Sequence, residues 1–337
     1  MKERKRLENL YSVEYEHPFD RKALDQLENT RGIDLVTRKA FDYGLERYMR
    51  IKHTGDNIRI TQHNIPEIYE ILEEACHIMG VQEIPELHIM LDDQIQAFTS
   101  GEKRRIIVIS SGAVELLNSD EILFVFGREL GHIKSNHVIY HMMAHSIKVV
   151  AQIISDMTLG LGNMLSMPLQ AALLYWHRMS EFTADRAGLL TCQDIDIAAH
   201  CLIKMAGLPE QYHGRISVQD LREQSEEFED IKEGTFDKMI RFAAEYENPQ
   251  PFTIIRAAQL FKWYDSGAYE MVVSRQTQME FTGMLCPNCQ ATILPSYNFC
   301  RMCGIKLREK PPLKLASKTT ESHDATDQQE GNDTPST

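Results

Sequence analysis

Apolar residues fall into a helical rhythm over much of the chain, interrupted by two short strand-like runs. Ile68, Ile71, Leu72 and Cys76 stand at i, i+3, i+4 and i+8, which predicts a helix from about Ile65 to Met79. Gly80 then fits the left-handed position that closes such a helix. Upstream, residues 1–60 are polar with apolar spacing at Leu24, Leu27, Phe41, Leu45, Tyr48 and Ile51, the pattern of a leading helical layer. Downstream, 86–91 alternates like a strand, and Arg105-Ile106-Ile107-Val108-Ile109-Ser110 is β-branched enough to be a buried strand. Between them, 96–101 reads as an extended edge ending in a turn. Ser111-Gly112 breaks the pattern before a short helix through Val114, Leu116 and Leu117.

A longer helix opens at Asn118-Ser119-Asp120-Glu121. Asn118 with Glu121 three residues on makes a capping box, and the acids sit at the positive end of the helix dipole. Ile122, Phe126, Leu130 and Ile133 form its core stripe, and Arg128 and His132 share another face. Further helices are predicted over 175–190, over 194–208, and from Phe252 to about Tyr264 after Pro249 and Pro251. Residues 220–232 are acidic and read as a mobile connection. Residues 309–337 have almost no large apolar side chain after Leu315 and read as a disordered tail.

From Val149 to Trp176 the only formal charge is Asp156, and a bilayer takes roughly 20 apolar residues. The stretch also holds Gln152, Asn163, Gln170 and Pro168, and an Asp near a bilayer centre is costly. Two buried helical segments broken at Gly160-Leu161-Gly162-Asn163 are the preferred reading, with membrane association the lesser one. Met142, Met143, Met157, Met164 and Met167 are core-type residues.

Composition narrows the class. The chain has 337 residues, 43% hydrophobic and 25% charged, as in a soluble globular protein. A net charge of -13 argues against general nucleic-acid binding, which requires a basic face. The charged opening, Met1-Lys2-Glu3-Arg4-Lys5-Arg6, lacks the apolar run of a secretory signal. Cys76, Cys192 and Cys201 are scattered on apolar helix faces and read as buried thiols, which suits a reducing, cytoplasmic setting.

Two constellations carry chemistry. The first is Arg128-Glu129-Leu130-Gly131-His132. In an H-E-x-x-H helix, two His at i and i+4 hold zinc and the Glu activates water. Here Glu129 and His132 stand in register, and Arg128 replaces the first His. Glu181 is the candidate third ligand, and Asp185, one turn on, shares its face and would hold the site from behind. A guanidinium stays protonated and has no lone pair for a metal. Two outcomes stay open. Arg128 pairs with Glu129 or Glu181 and takes the metal's place, or another side chain completes the set. His177, four residues before Glu181, is the substitute ligand the spacing offers. His137, His141 and His145 also lie at helical spacing and are read as packing or polar-face residues.

These residues resemble the HtpX-like and CAAX-prenyl-protease-like zinc metallopeptidases. The resemblance is carried by Glu129-Leu130-Gly131-His132-Ile133, by His137, and by Arg178-x-Ser180-Glu181-x-x-Ala184-Asp185-Arg186-Ala187-Gly188. Gln96-Ala97-Phe98 is similar to their NAFA segment. Ser111-Gly112 with Ser119-Asp120-Glu121 is similar to their lead-in. Pro251-Phe252-Thr253-Ile254-Ile255-Arg256 is similar to their HPLTxxR. It covers roughly residues 60–275 and implies a gluzincin fold: helix-rich α+β with a small sheet. The implied activity is hydrolysis of peptide bonds by zinc-activated water, with Glu129 as base and His132 and Glu181 as ligands. A substrate strand would pair along the sheet edge near 96–100. The alternative is a catalytically inactive pseudo-peptidase acting as a protein-binding or chaperone-like module.

The second constellation is Cys286-x2-Cys289, ten residues, then Cys300-x2-Cys303. Two thiolate pairs on tight knuckles suit structural tetrahedral Zn²⁺ with no open position, and the run resembles small zinc ribbons that dock a protein partner. The expected organisation is a helical layer at 1–60, a metallopeptidase-like domain at 61–275, a zinc ribbon at 283–308 and a tail at 309–337.

Overall fold

The computed structural model describes residues 3–30, 32–42, 44–102, 104–148, 162–230, 251–274, 284–285, 287 and 292–293. It divides into two compact units, Met1–Phe281 and Thr282–Thr337.

The first unit begins with helices α1 (Pro18–Glu28), α2 (Ile33–Asp42) and α3 (Leu45–Asp56). Strand β1 (Ile58–Ile60) follows, a pairing too short to be legible in the sequence. Helix α4 (Pro66–Met79) starts on Pro66, whose missing N–H costs nothing there, and stops at Gly80 with φ 65°. Strands β2 (Glu86–Met90), β3 (Ala97–Ser100) and β4 (Ile106–Ser110) complete a sheet of order β1-β2-β4-β3. β2 runs parallel to β4, and β1 and β3 are antiparallel to their neighbours. β4, buried along its whole length, is one of the two inner strands with β2, and β3 is an edge.

Helix α5 (Ser111–Leu116) leads into α6 (Ser119–Lys134), whose capping box is formed as expected: Asn118 Oδ1 accepts from the Glu121 backbone N–H at 3.0 Å, and Glu121 Oε2 from that of Asn118 at 2.9 Å. α6 is no stripe. Every residue from Glu121 to Ile133 is buried, so the face with Arg128 and His132 lies inside as well.

Helix α7 (Val138–His145) follows, then α8 (Gly162–Cys192), one helix of 31 residues containing Pro168. Its start falls inside the expected break at 160–163; residues 149–161 lie outside the described residues. Among the described residues no helix is long and apolar enough to cross a membrane.

Helices α9 (Ile195–Met205), α10 (Val218–Asp230), α11 (Thr253–Asp265) and α12 (Ala268–Val273) close the unit. α10 corrects the reading of 220–232 as mobile. Leu221 and Ser225 are buried, Arg222 pairs with Asp265 Oδ2 at 2.7 Å, and its guanidinium lies 4.0 Å over the Phe261 ring. Two buried positions in an acidic run give little periodicity, but α11 supplies the partner they need.

The opening segment is stitched into this unit. Arg4 donates to Cys192 O at 2.9 Å, Glu74 Oε1 at 3.1 Å and Asp120 Oδ1 at 2.6 Å. Buried Asp20 accepts from Trp176 Nε1 at 3.0 Å and Thr183 Oγ1 at 2.6 Å. Cys76, Cys192 and Cys201 are free, buried thiols. In the second unit, β5 (Met284–Leu285) pairs antiparallel with β6 (Thr292–Ile293).

Candidate active site

Small residues decide how closely α6 and α8 approach. A Cβ added at Gly131 would run into Ala187 Cβ, and one at Gly188 would meet the Phe124 ring and Arg128 Cγ. With only hydrogens there, the helices come near enough for side chains of α6 to reach carboxylates of α8 directly.

That approach delivers Arg128 onto Glu181 and Asp185. Arg128 Nη2 donates to Glu181 Oε2, and Nε donates to Asp185 Oδ1 at 2.8 Å. Arg256 of α11 reaches the same Asp185 from behind, Nη2 to Oδ1 at 2.6 Å and Nε to Oδ2 at 2.9 Å. Two guanidinium groups therefore face two carboxylates, all four side chains buried. Burial alone would drive the Glu181 carboxyl up. Arg128, with His132 and Arg256, outweighs it and holds Glu181 well below the usual carboxylate range. Burial also works against charge on Arg128, but Asp185, Glu181 and Glu129 raise its pKa and keep it a cation.

Glu129 and His132 complete the group. Burial raises the Glu129 pKa, against His132, Arg128 and a hydrogen bond from Thr99. Thr99 Oγ1 donates to Glu129 Oε2 at 2.8 Å, tying the carboxylate to edge strand β3. His132 Nε2 lies 3.6 Å from Glu181 Oε1. Glu129, His132, Glu181, Asp185 and Arg128, all singled out from the sequence, thus converge.

A zinc ion does not fit among them as they stand. One Glu181 oxygen is already bonded to Arg128, and the guanidinium offers no lone pair. Of the sequence candidates, His132 and Glu181 face one another, but His177 packs instead against His141, ring centroids 4.4 Å apart and tilted.

His137, His141 and His145 are more than packing residues. His132 Nδ1 lies 3.1 Å from His137 Nδ1, and His137 Nε2 lies 3.2 Å from Asp20 Oδ2. Of the two facing Nδ1 atoms one donates and the other accepts, so His132 and His137 share one proton between them. His141 Nε2 lies 2.9 Å from Ser180 Oγ, whose own proton goes to His177 O at 2.7 Å. Ser180 must therefore accept, which places a proton on His141 Nε2. Two groups, His132/His137/His141 and His141/His145/His177, have ring nitrogens within 4.8 Å of one another and are able to hold a metal ion. His145 presents surface to solvent while protein atoms crowd it, as for a side chain lining a recess. Burial, then His177, lowers its pKa to about 4. The i, i+4 spacing of 137, 141 and 145 was visible; that α8 supplies His177 opposite them was not. Asp20 and Arg256 had no sequence signal as site residues beyond Arg256's place in a motif. Cys286, Cys289, Cys300 and Cys303 lie outside the described residues.

The profile of peptidase family M48 matches residues 62–264. The chain is 26% identical over 270 residues to the plastoglobule-localized metallopeptidase 48 of Arabidopsis thaliana chloroplasts, covering 79% of this chain and 77% of that one. It is 36% identical over 73 residues to the protease HtpX homolog of Bacteroides fragilis (21% of this chain, 22% of that one). It is 26% identical over 173 residues to that of Tropheryma whipplei (44% of this chain, 59% of that one). No solved structure matches. These relatives are proteases by name, and they agree with a helix-rich α+β metallopeptidase domain carrying a small four-stranded sheet. The chain belongs to peptidase family M48.

Proposed function

We propose that this chain is a peptide-binding M48 domain in which zinc-dependent hydrolysis at the inherited position has been switched off. The observation that carries the reading is the Arg128 guanidinium, buried and bonded to both Glu181 and Asp185. A Zn²⁺ ion forced in beside it would be repelled by on the order of 8 kcal/mol, taking about 4 Å and an effective dielectric near 20. The residues around Arg128 therefore work as a charge-balanced brace, and Glu129 is kept in place by Thr99 without a metal-bound water to act on.

Edge strand β3 is the element for capture. Among the described residues one of its sides has no strand partner, so an extended protein segment can add to it through backbone hydrogen bonds. In this reading the four cysteines at 286, 289, 300 and 303 hold a structural Zn²⁺, and the module they organise docks a protein partner.

A second reading keeps hydrolysis, and family membership favours it. His132 and Glu181, joined by a third ligand such as His177, bind zinc after Arg128 swings aside, and Glu129 serves as base. Casein cleavage and zinc content, compared among the native chain, Arg128→His, Glu129→Gln and His177→Ala, separate the two. The switched-off reading expects an inactive native chain and cleavage gained on Arg128→His. Cleavage by the native chain that Glu129→Gln abolishes would overturn it.

A further inference from the structure

One turn along α8 from Glu181, α7 and α8 build a different kind of site. His141 and His145 sit at i and i+4 on α7, and His177 faces them from α8. Ring centroids are 4.4 Å apart for His141–His177, 5.2 Å for His145–His177 and 6.2 Å for His141–His145. We propose that His141, His145 and His177 form a three-imidazole site for a late first-row divalent ion such as Zn²⁺, Co²⁺ or Cu²⁺, distinct from the inherited zinc position.

Three features argue for it. Imidazole nitrogens are the ligands these ions prefer, and no thiolate or guanidinium belongs to the trio. The donor atoms already lie within 4.8 Å of one another. Zinc–nitrogen bonds of about 2.0–2.1 Å set tetrahedral nitrogens roughly 3.3 Å apart, so closure asks for at most about 1.5 Å of side-chain movement. The second feature is Ser180. By accepting from His141 Nε2–H while donating to His177 O, it fixes the tautomer that leaves a lone pair on His141 Nδ1. A neighbour that orients the ring and chooses its tautomer is what ligating histidines use. The third is access. His141 and His177 are buried, but His145 reaches solvent, giving an ion a way in and water a fourth position. The competing trio, His132/His137/His141, is buried throughout, and His137 is engaged with Asp20.

The place of the site gives it a role. His145 packs against Phe98 of edge strand β3, centroids 5.7 Å apart, and Phe98 against His53 at 5.0 Å, both pairs tilted. An ion on His145 therefore sits beside the strand along which a peptide would pair, and its open position is available to a donor side chain of that peptide. The site rests on the first reading in one respect: there His177 is left to this trio, whereas the second reading draws it to the inherited position.

The test uses the full chain with Cys286→Ser and Cys289→Ser, which removes two of the four thiolates that would otherwise take up metal. Equilibrium dialysis against Zn²⁺ should leave one ion per chain, and adding His145→Ala, a change at an exposed position, should abolish retention. With Cu²⁺, electron paramagnetic resonance should show nitrogen superhyperfine structure that His145→Ala removes. No retained ion in the Cys-substituted chain would overturn the proposal. So would retention, or nitrogen couplings, unchanged by His145→Ala, since the ion would then sit on His132/His137/His141 or at the inherited position. Casein cleavage is a separate readout and bears only on the hydrolytic question.

Discussion

Arg128→Met keeps most of the side chain's volume and removes its charge, so it isolates what the guanidinium does for the fold. Asp185 would retain both bonds from Arg256, at 2.6 and 2.9 Å. Glu181 would lose the guanidinium bonded to it and keep His132 Nε2 at 3.6 Å. Breaking a buried ion pair by removing one partner costs about 3–5 kcal/mol. With Asp185 still matched, the lower end, about 3 kcal/mol at neutral pH, is expected. The pH dependence gives a sharper signature. In the native chain Glu181 is held well below its ordinary value of 4.5, so its contribution is full above 4.5 and is lost as pH falls. In the variant the Arg128 contribution is gone, burial works against His132 and Arg256 alone, and the folded-state pKa rises from its native position. Glu181 then contributes less at neutral pH than in the native chain, and the shortfall fades on acidification as the group takes up a proton. The difference between the two chains is therefore largest near neutrality and shrinks toward pH 4.5 and below. Urea unfolding across that range, followed by fluorescence of Trp176 and Trp263, measures it; both tryptophans lie in the first unit. Equal stability at neutral pH, or a deficit that does not change with pH, would refute the reasoning.

Three further outcomes follow from the packing. Gly131→Ala forces a methyl into Ala187 and should cost about 1–3 kcal/mol, seen as an earlier urea midpoint, because the helix backbones must part. Asp20→Asn leaves one acceptor for the Trp176 and Thr183 donors and buries an amide among them; a loss of about 1–3 kcal/mol, with Trp176 emission shifted, is expected. Burial raises the thiols of Cys76 and Cys192 to about 12 and Cys201 further still, so in the folded chain a thiol reagent near pH 8 should leave these three unmodified until urea is added.

How much of this was legible in the sequence depends on how local each determinant is. The α6 cap, the Gly80 stop and the buried β4 strand are set by residues within a few positions of each other, and all three appear where the pattern placed them. Arg128, Glu129, His132, Glu181 and Asp185 were legible because two helical spacings, brought together by a family resemblance, fix which faces meet. What was not legible needed a partner from far along the chain. α10 has two buried positions and is a helix because α11 covers them. β1 is three residues long and exists because β2 is there to pair with. The histidines on α7 looked like a polar face until α8 put His177 across from them. Asp20 stands 156 residues from Trp176, and no local signal marks it as the acceptor behind His137.

The exchange of histidine for arginine at 128 also changes what the first unit needs in order to fold. Glu181 is buried and has to face a cation. In a zinc-holding relative the ion supplies that charge and folding is linked to metal. Here the cation is covalently part of α6, so the unit should fold without any ion at this position. In a His145→Ala background, which removes the second candidate site, a chelator should leave the tryptophan-detected unfolding midpoint unchanged, whatever it does to the cysteine module. Adding Arg128→His to that background should reverse the behaviour. The doubly substituted chain should be weaker than its parent in chelator and recover with zinc, by about 2.7 kcal/mol at a free concentration a hundred times the dissociation constant. A native-sequence position 128 whose first unit loses stability in chelator would mean that an ion, not the guanidinium, balances Glu181. An Arg128→His chain indifferent to zinc would mean that more than one residue separates this site from a metal centre.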